Sequence, residues 1–124
     1  MMLKDFYTVE SMTKRDSESY DIQIRLNAKH DIFKGHFPDN PITPGVCMMQ
    51  IIKDLSEIIT EQHLFLTKST NVKFMALINP DQHSLLNLTL IVQPDQQGAV
   101  KVKNVTSFGQ TVALKLTNEY KIIT

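Results

Sequence analysis

The chain has 124 residues and a mass of 14.2 kDa, with thirteen basic side chains against thirteen acidic ones. That length suits a single domain spanning 1–124, able to bury about two thirds of its unfolded surface without staples. A formal net charge of zero gives no global pull toward nucleic acid or an anionic membrane, and a lone cysteine, Cys47, excludes an internal disulfide.

The opening residues, Met1-Met2-Leu3-Lys4-Asp5, lack the long apolar core of a secretory leader. No apolar run approaches the ~18 residues of a membrane span, so a cytoplasmic protein with Cys47 reduced is expected. Cys47 then reads as a small buried apolar side chain rather than a nucleophile. Phe6 to Met12 suits a first strand, and the polar run Thr13 to Ser19 a turn. Tyr20, Ile22, Ile24 and Leu26 alternate with Asp21, Gln23 and Arg25, the period of a half-buried second strand. Residues 29 to 44 form an irregular loop. From Val46 to about Glu61 a helix is expected, apolar over most of its circumference, with Lys53, Asp54, Glu57 and Glu61 as a narrow polar stripe. This helix should be buried on most sides and wet along one line.

The remainder reads as strands. Leu64 to Ile78 is rich in strand formers and is followed by the turn Asn79-Pro80-Asp81. Leu86, Leu88, Leu90 and Val92 alternate with polar residues, and Pro94 to Gly98 turns the chain. Val100 to Lys103 begins another strand, Ser107 to Gln110 turns, and Val112, Leu114 and Leu116 alternate in the last one. Four strand segments after one helix indicate α+β, an antiparallel sheet wrapped on a single long helix.

The loop before the helix, GHFPDNPITPG, holds three prolines, two glycines and a histidine in eleven residues. Pro38, Pro41 and Pro44 each fix φ and restrict the residue before them, so the loop loses little entropy on ordering. Gly45 permits a close approach where the helix begins, among unpartnered N–H groups at the positive end of the dipole. A carbonyl oxygen that develops negative charge can rest against the Gly45 or Val46 N–H. His36, held by the stiff loop, can act as a base near neutral pH.

His36-Phe37-Pro38-x-x-Pro41-x-x-Pro44-Gly45-Val46 resembles the signature of the β-hydroxyacyl-(acyl carrier protein) dehydratases, a hot-dog-fold family, at seven fixed positions in eleven. Asn71-Val72-Lys73-Phe74 and Ile78-Asn79-Pro80-Asp81 are similar to the family's later strand and turn. The resemblance covers most of the chain. It implies a helix wrapped by the sheet, domains paired into a homodimer or a higher oligomer of dimers, and an acyl tunnel at the interface. It also implies catalysis by the motif histidine with an acid from the neighbouring subunit's helix. The substrate would be an acyl thioester on acyl carrier protein or coenzyme A. It would hang on phosphopantetheine, with no metal or dissociable cofactor. Phe37, Pro44, Val46 and Met49 are then candidates for the substrate-binding wall. Phe37 would pack the loop, and Met49 would line the tunnel with Met48, although core packing suits the methionines equally.

Three departures qualify the match. Fourteen residues after the histidine, where the family has its acid, stands Gln50. An amide orients a hydroxyl or a water but donates no proton at useful pH, and a missing general acid typically costs ~10²–10⁴ in rate. Asp54 follows one turn later, as if the family's acid and glutamine had exchanged places. It reads first as part of the wet stripe and second as a displaced acid. Met75 and Ala76 occupy positions where the family often has carrier-docking cations, leaving Lys73, Lys34 and Lys68. The chain also starts almost directly with its first strand. His30, His63 and His83 have no ligand spacing and suit surface or turn positions. Three functions follow. The first is a 3-hydroxyacyl-thioester dehydratase with His36 as base, Gly45 as oxyanion donor and Gln50 as orienting group. The second is a hot-dog thioesterase in which Gln50 positions a water and Asp54 or Glu57 is the base. The third is a non-catalytic acyl- or carrier-binding subunit of a heterodimer.

Overall fold

The computed structural model describes residues 3–123. Met1 and Met2, part of the opening stretch read as no leader, and Thr124 lie outside them. Six strands and two helices follow in order: β1 (Tyr7–Lys14), β2 (Ser19–Leu26), α1 (Ile32–Gly35), α2 (Gly45–Thr60), β3 (His63–Phe74), β4 (Leu85–Pro94), β5 (Ala99–Phe108) and β6 (Thr111–Ile123). The strands form one antiparallel sheet in the order β1-β2-β4-β5-β6-β3. The strand that follows the helix therefore crosses to the far edge of the sheet.

Alternation decides which face packs. Ile22, Ile24 and Leu26 of β2, Leu86, Leu88, Leu90 and Val92 of β4, and Leu114 and Leu116 of β6 are all buried. They close on Cys47, Met48, Ile51, Ile52 and Leu55 of α2 in one core. A sheet with one apolar face needs such a cover, and one 16-residue helix supplies it. This is the hot-dog arrangement. Cys47 is buried, and its burial pushes the thiol above its usual range, away from the thiolate a nucleophile needs. Among the described residues no helix is long and apolar enough to cross a membrane.

The boundaries differ from expectation in instructive places. β1 and β2 extend into the run read as a turn, ending at Lys14 and starting at Ser19. The loop contains the single turn α1, which buries Phe33 against Phe6. β3 ends at Phe74, so Met75 to Ile78 leave the ladder, although Met75 N–H still donates to Ala113 O at 2.8 Å. β5 runs through Phe108, and the turn is confined to Gly109-Gln110, with Gly109 at φ 57°. β6 continues past Leu116 because its inward face carries on with Asn118 and Tyr120. Asn118 Nδ2 donates to Tyr120 Oη at 2.9 Å, and Ser69 Oγ donates to Asn118 Oδ1 at 2.6 Å, which makes the polar side chain tolerable there.

The helix also departs from "wet along one line". Lys53, Asp54 and Glu57 are half-buried, and the exposed residues on this side include the apolar Val46 and Ile58. The stripe is drier because β1 and β3 lean over it through Tyr7 and Leu64, both of which bond to its carboxylates. The open flank of α2 and the unpaired edge of β3 leave apolar side chains in solvent: Phe65, Val72 and Phe74 of β3 and Val46 and Ile58 of α2 are exposed.

Candidate active site

The proline loop folds back on itself before it meets α2. Phe37 and Asn40 exchange backbone hydrogen bonds at 3.0 Å in both directions, and Ile42 N–H donates to His36 O at 2.9 Å. The His36–Phe37 peptide bond is cis, and the two rings stack with centroids 4.4 Å apart. His36 Nδ1 lies 3.3 Å from Ile42 O. With Nδ1–H donating to that carbonyl, the ring's free lone pair is on Nε2. Thr43 N–H donates to Ile78 O at 2.9 Å, which ties the loop to the segment after β3.

Between these two segments lies a cleft of about 450 Å³, walled by His36, Thr43, Pro44 and Gly45 on one side and by Phe74 to Ile78 on the other, with Met48 at its base. Its lining is otherwise apolar and includes no carboxylate. Gly45 is required by contact here: a Cβ on it would lie 2.8 Å from Phe74 Cζ. Pro44 caps the helix in an extended conformation with no side-chain cap, and its carbonyl accepts from Cys47 and Met48 N–H. The N–H groups of Gly45 and Val46 are thus the unpaired donors of the first turn.

Gln50 and Asp54 come together elsewhere on α2. Gln50 Nε2 donates to Asp54 Oδ1 at 2.8 Å, and Tyr7 Oη donates to Asp54 Oδ2 at 3.0 Å. Burial, and then the Asp54 carboxylate, hold the Tyr7 phenol well above its usual range, so Tyr7 is a standing donor to Asp54. Glu57 is committed to structure: its Oε2 accepts from Leu64 N–H at 2.8 Å, which joins the end of α2 to β3.

The structure therefore unites His36, Pro44 and Gly45, and separately Gln50 and Asp54, but not the two groups within one chain. Of the four residues expected on the substrate wall, Pro44 lines this cleft; Phe37, Val46 and Met49 do not. Helical phase explains two of these. Val46 follows Gly45 and Met49 follows Met48 by one residue, a rotation of ~100° away from the cleft. Phe37 stacks on the outer face of His36 and is exposed. Of the remaining histidines, His63 and His83 are exposed, while His30 Nε2 is 2.9 Å from Lys4 O and its Nδ1 accepts from Ile32 N–H at 3.1 Å. Sequence reasoning missed Tyr7, Thr43 and the Met75–Ile78 wall. Thr43 had a signal, being a hydroxyl between Ile42 and Pro44 in a stretch otherwise read as scaffold; nothing local marks Tyr7 as the partner of Asp54.

The profile of the ApeI-like family, described as ApeI dehydratase, matches residues 12–117. The chain is similar to the 3-hydroxyacyl-(acyl-carrier-protein) dehydratase FabZ of a Thermoanaerobacter species, 30% identical over 96 residues, covering 71% of this chain and 66% of that protein. The enzyme of the same name from Lactobacillus helveticus is 27% identical over 111 residues, covering 81% of this chain and 75% of its own length. Among solved structures, a chain of the dehydratase heterocomplex ApeI:P from Xenorhabdus doucetiae has a TM-score of 0.69 at 18% identity, covering 94% of this chain and 97% of that one. The putative thioesterase yhdA from Lactococcus lactis has a TM-score of 0.68 at 10% identity, covering 99% and 98%. At those identities the two structures share the hot-dog fold with this chain. The match over residues 12–117, together with the signature from His36 to Val46, leads to one conclusion: the chain belongs to the ApeI-like dehydratase family.

Proposed function

We propose that the protein dehydrates 3-hydroxyacyl thioesters, carried on acyl carrier protein or coenzyme A, with His36 as the base. The observation that carries this reading is the half-buried imidazole, anchored to Ile42 O, on the wall of an apolar cleft that opens beside the uncapped first turn of α2. His36 Nε2 takes the C2 proton, and the negative charge that develops on the thioester oxygen is met by the Gly45 N–H. The C2–C3 double bond forms as the C3–O bond breaks. The departing hydroxide takes back a proton from the imidazolium and leaves as water. Gln50 holds the hydroxyl or a water but supplies no proton, so turnover is slow by roughly the ~10²–10⁴ that a dedicated acid contributes. The reaction as written draws on no resident metal or cofactor.

A second copy of the chain, or a related hot-dog subunit, completes the site. Two observations support this. The cleft contains no carboxylate and no residue from the Gln50–Asp54 pair. Its rim is apolar and open, with Phe74 at 59%, Met75 at 56% and Leu77 at 71% exposure beside the unpaired edge of β3. Incubation with 3-hydroxyacyl and 2-enoyl thioesters, read by mass spectrometry, tests the reading. Interconversion of the two by loss or gain of water is expected. Release of free thiol with no interconversion would assign the protein to thioester hydrolysis instead.

A further inference from the structure

Thr43 is 7% exposed, and its Oγ1 is the one buried side-chain nitrogen or oxygen among the described residues that has no hydrogen-bond partner. The other buried polar side chains are all committed: Ser56 Oγ donates to Ile52 O, Thr106 Oγ1 to Asn104 Oδ1, Asn104 Nδ2 to Thr89 O, and Asn118 Nδ2 to Tyr120 Oη. Thr43 is not loosely placed. Its N–H is fixed on Ile78 O at 2.9 Å, across the cleft from its own loop. A valine would fill the same shape without burying an unsatisfied hydroxyl, which is costly. Apart from His36, Thr43 carries the only hydrogen-bonding side chain, sulfur aside, among the residues that line the cleft, beside groups such as Ile42, Met48, Phe74 and Ile78. In the chain it lies between Ile42, whose carbonyl holds His36, and Gly45, whose N–H opens α2. A small number of polar groups in an apolar cleft fixes a ligand's orientation, and Thr43 shares this lining with His36 and Gly45.

We propose that Thr43 Oγ1, which lies beneath the cleft surface in the unliganded protein, turns into the cleft on binding and becomes a substrate ligand, hydrogen-bonded to an oxygen at the reacting end of the acyl thioester, either the carbonyl or the C3 hydroxyl. This rests on the dehydratase reading for the identity of the ligand but not for the role of the hydroxyl. A bond to the C3 hydroxyl selects 3-hydroxyacyl groups over plain hydrocarbon chains, whereas a bond to the carbonyl holds every acyl thioester alike.

The test measures affinity and melting together. Binding of 3-hydroxyhexanoyl-, 2-hexenoyl- and hexanoyl-pantetheine is followed by calorimetry in the His36→Ala background, with and without Thr43→Val. The melting of the Thr43→Val single variant is recorded without ligand. Affinity should fall by roughly 3- to 10-fold. A fall for all three ligands places the bond on the carbonyl; a fall confined to the 3-hydroxy compound places it on the C3 hydroxyl. The unliganded variant should melt roughly 2–5 °C higher, because an unsatisfied hydroxyl has been removed. Thr43→Ser, which keeps the oxygen, should retain affinity. Unchanged affinity for all three ligands, or a lower melting temperature for Thr43→Val, overturns the proposal, as does the absence of binding to either protein. Turnover lost in His36→Ala with affinity unmoved by Thr43→Val would keep the dehydratase reading and remove the hydroxyl's role. Turnover retained in His36→Ala with affinity weakened by Thr43→Val would do the reverse.

Discussion

Gln50→Glu restores a carboxyl at the position where the resemblance expects an acid, and its consequence can be worked out from the Gln50–Asp54 contact. The amide now donates to Asp54 Oδ1 at 2.8 Å. A carboxylate in its place would face another carboxylate. Even if the side chains part to ~4 Å, the repulsion is ~4 kcal/mol at an effective dielectric of ~20. Both residues are half-buried, so solvent screening removes much of this. On the order of 1–2 kcal/mol remains, enough to hold a proton on the introduced carboxyl about one pH unit longer than on a solvated glutamate. Such a carboxyl can protonate the leaving hydroxyl. Dehydration should therefore rise at least tenfold, part of the ~10²–10⁴ that a general acid supplies, and the gain should be larger at pH 6 than at pH 8. Stability should fall by about 1–3 kcal/mol in urea, since a hydrogen bond becomes a repulsive pair. The assay is the appearance of 2-enoyl thioester from 3-hydroxyacyl thioester. A folded variant no faster than the parent at either pH would refute the assignment of residue 50 to the leaving-group side of the reaction.

Gly45→Ala places a methyl 2.8 Å from Phe74 Cζ. It should cost about 1 kcal/mol, the low end of overpacking because the exposed ring can swing aside. Adding Phe74→Ala should recover part of that loss in urea unfolding. Tyr120 is buried and its phenol is pushed up to about 12, chiefly by that burial. Above pH ~10 the unfolded chain loses this proton while the folded chain keeps it, so stability should fall by ~1.4 kcal/mol per pH unit until the folded phenol also ionises near 12. Tyr120→Phe should remove that part of the slope in alkaline urea titrations. Val72→Lys puts a charge on the unpaired edge of β3 and should shift the protein toward monomer in light scattering, with turnover falling in parallel. A monomeric parent protein with full activity would contradict the composite site.

The sequence exposes what is periodic and local. The alternation of Leu86 to Val92, the helix after Gly45 and the turn at Asn79 all depend on neighbours along the chain, and each appears where its residues place it. The signature also locates the histidine and the helix start. What stayed hidden depends on partners far away in sequence. The tail of β6 is not legible because Asn118 breaks the apolar rhythm, and its hydrogen bonding by Ser69 and Tyr120 is a tertiary fact. Asp54 reads first as part of a wet stripe and only second as a displaced acid, because Tyr7, 47 residues distant, cannot be paired with it from composition. Val46 and Met49 carry apolar side chains suited to a tunnel, but their phase on α2 turns them away from the His36 cleft.

The chemistry turns on whether His36 removes the C2 proton. Incubating 3-hydroxyacyl thioester in deuterated water and following deuterium at C2 by mass spectrometry addresses that step without requiring the hydroxyl to leave. Incorporation by the parent protein is expected, with a drop of ~10²–10⁴ in His36→Ala. Incorporation at the same rate in a folded His36→Ala variant would contradict the account.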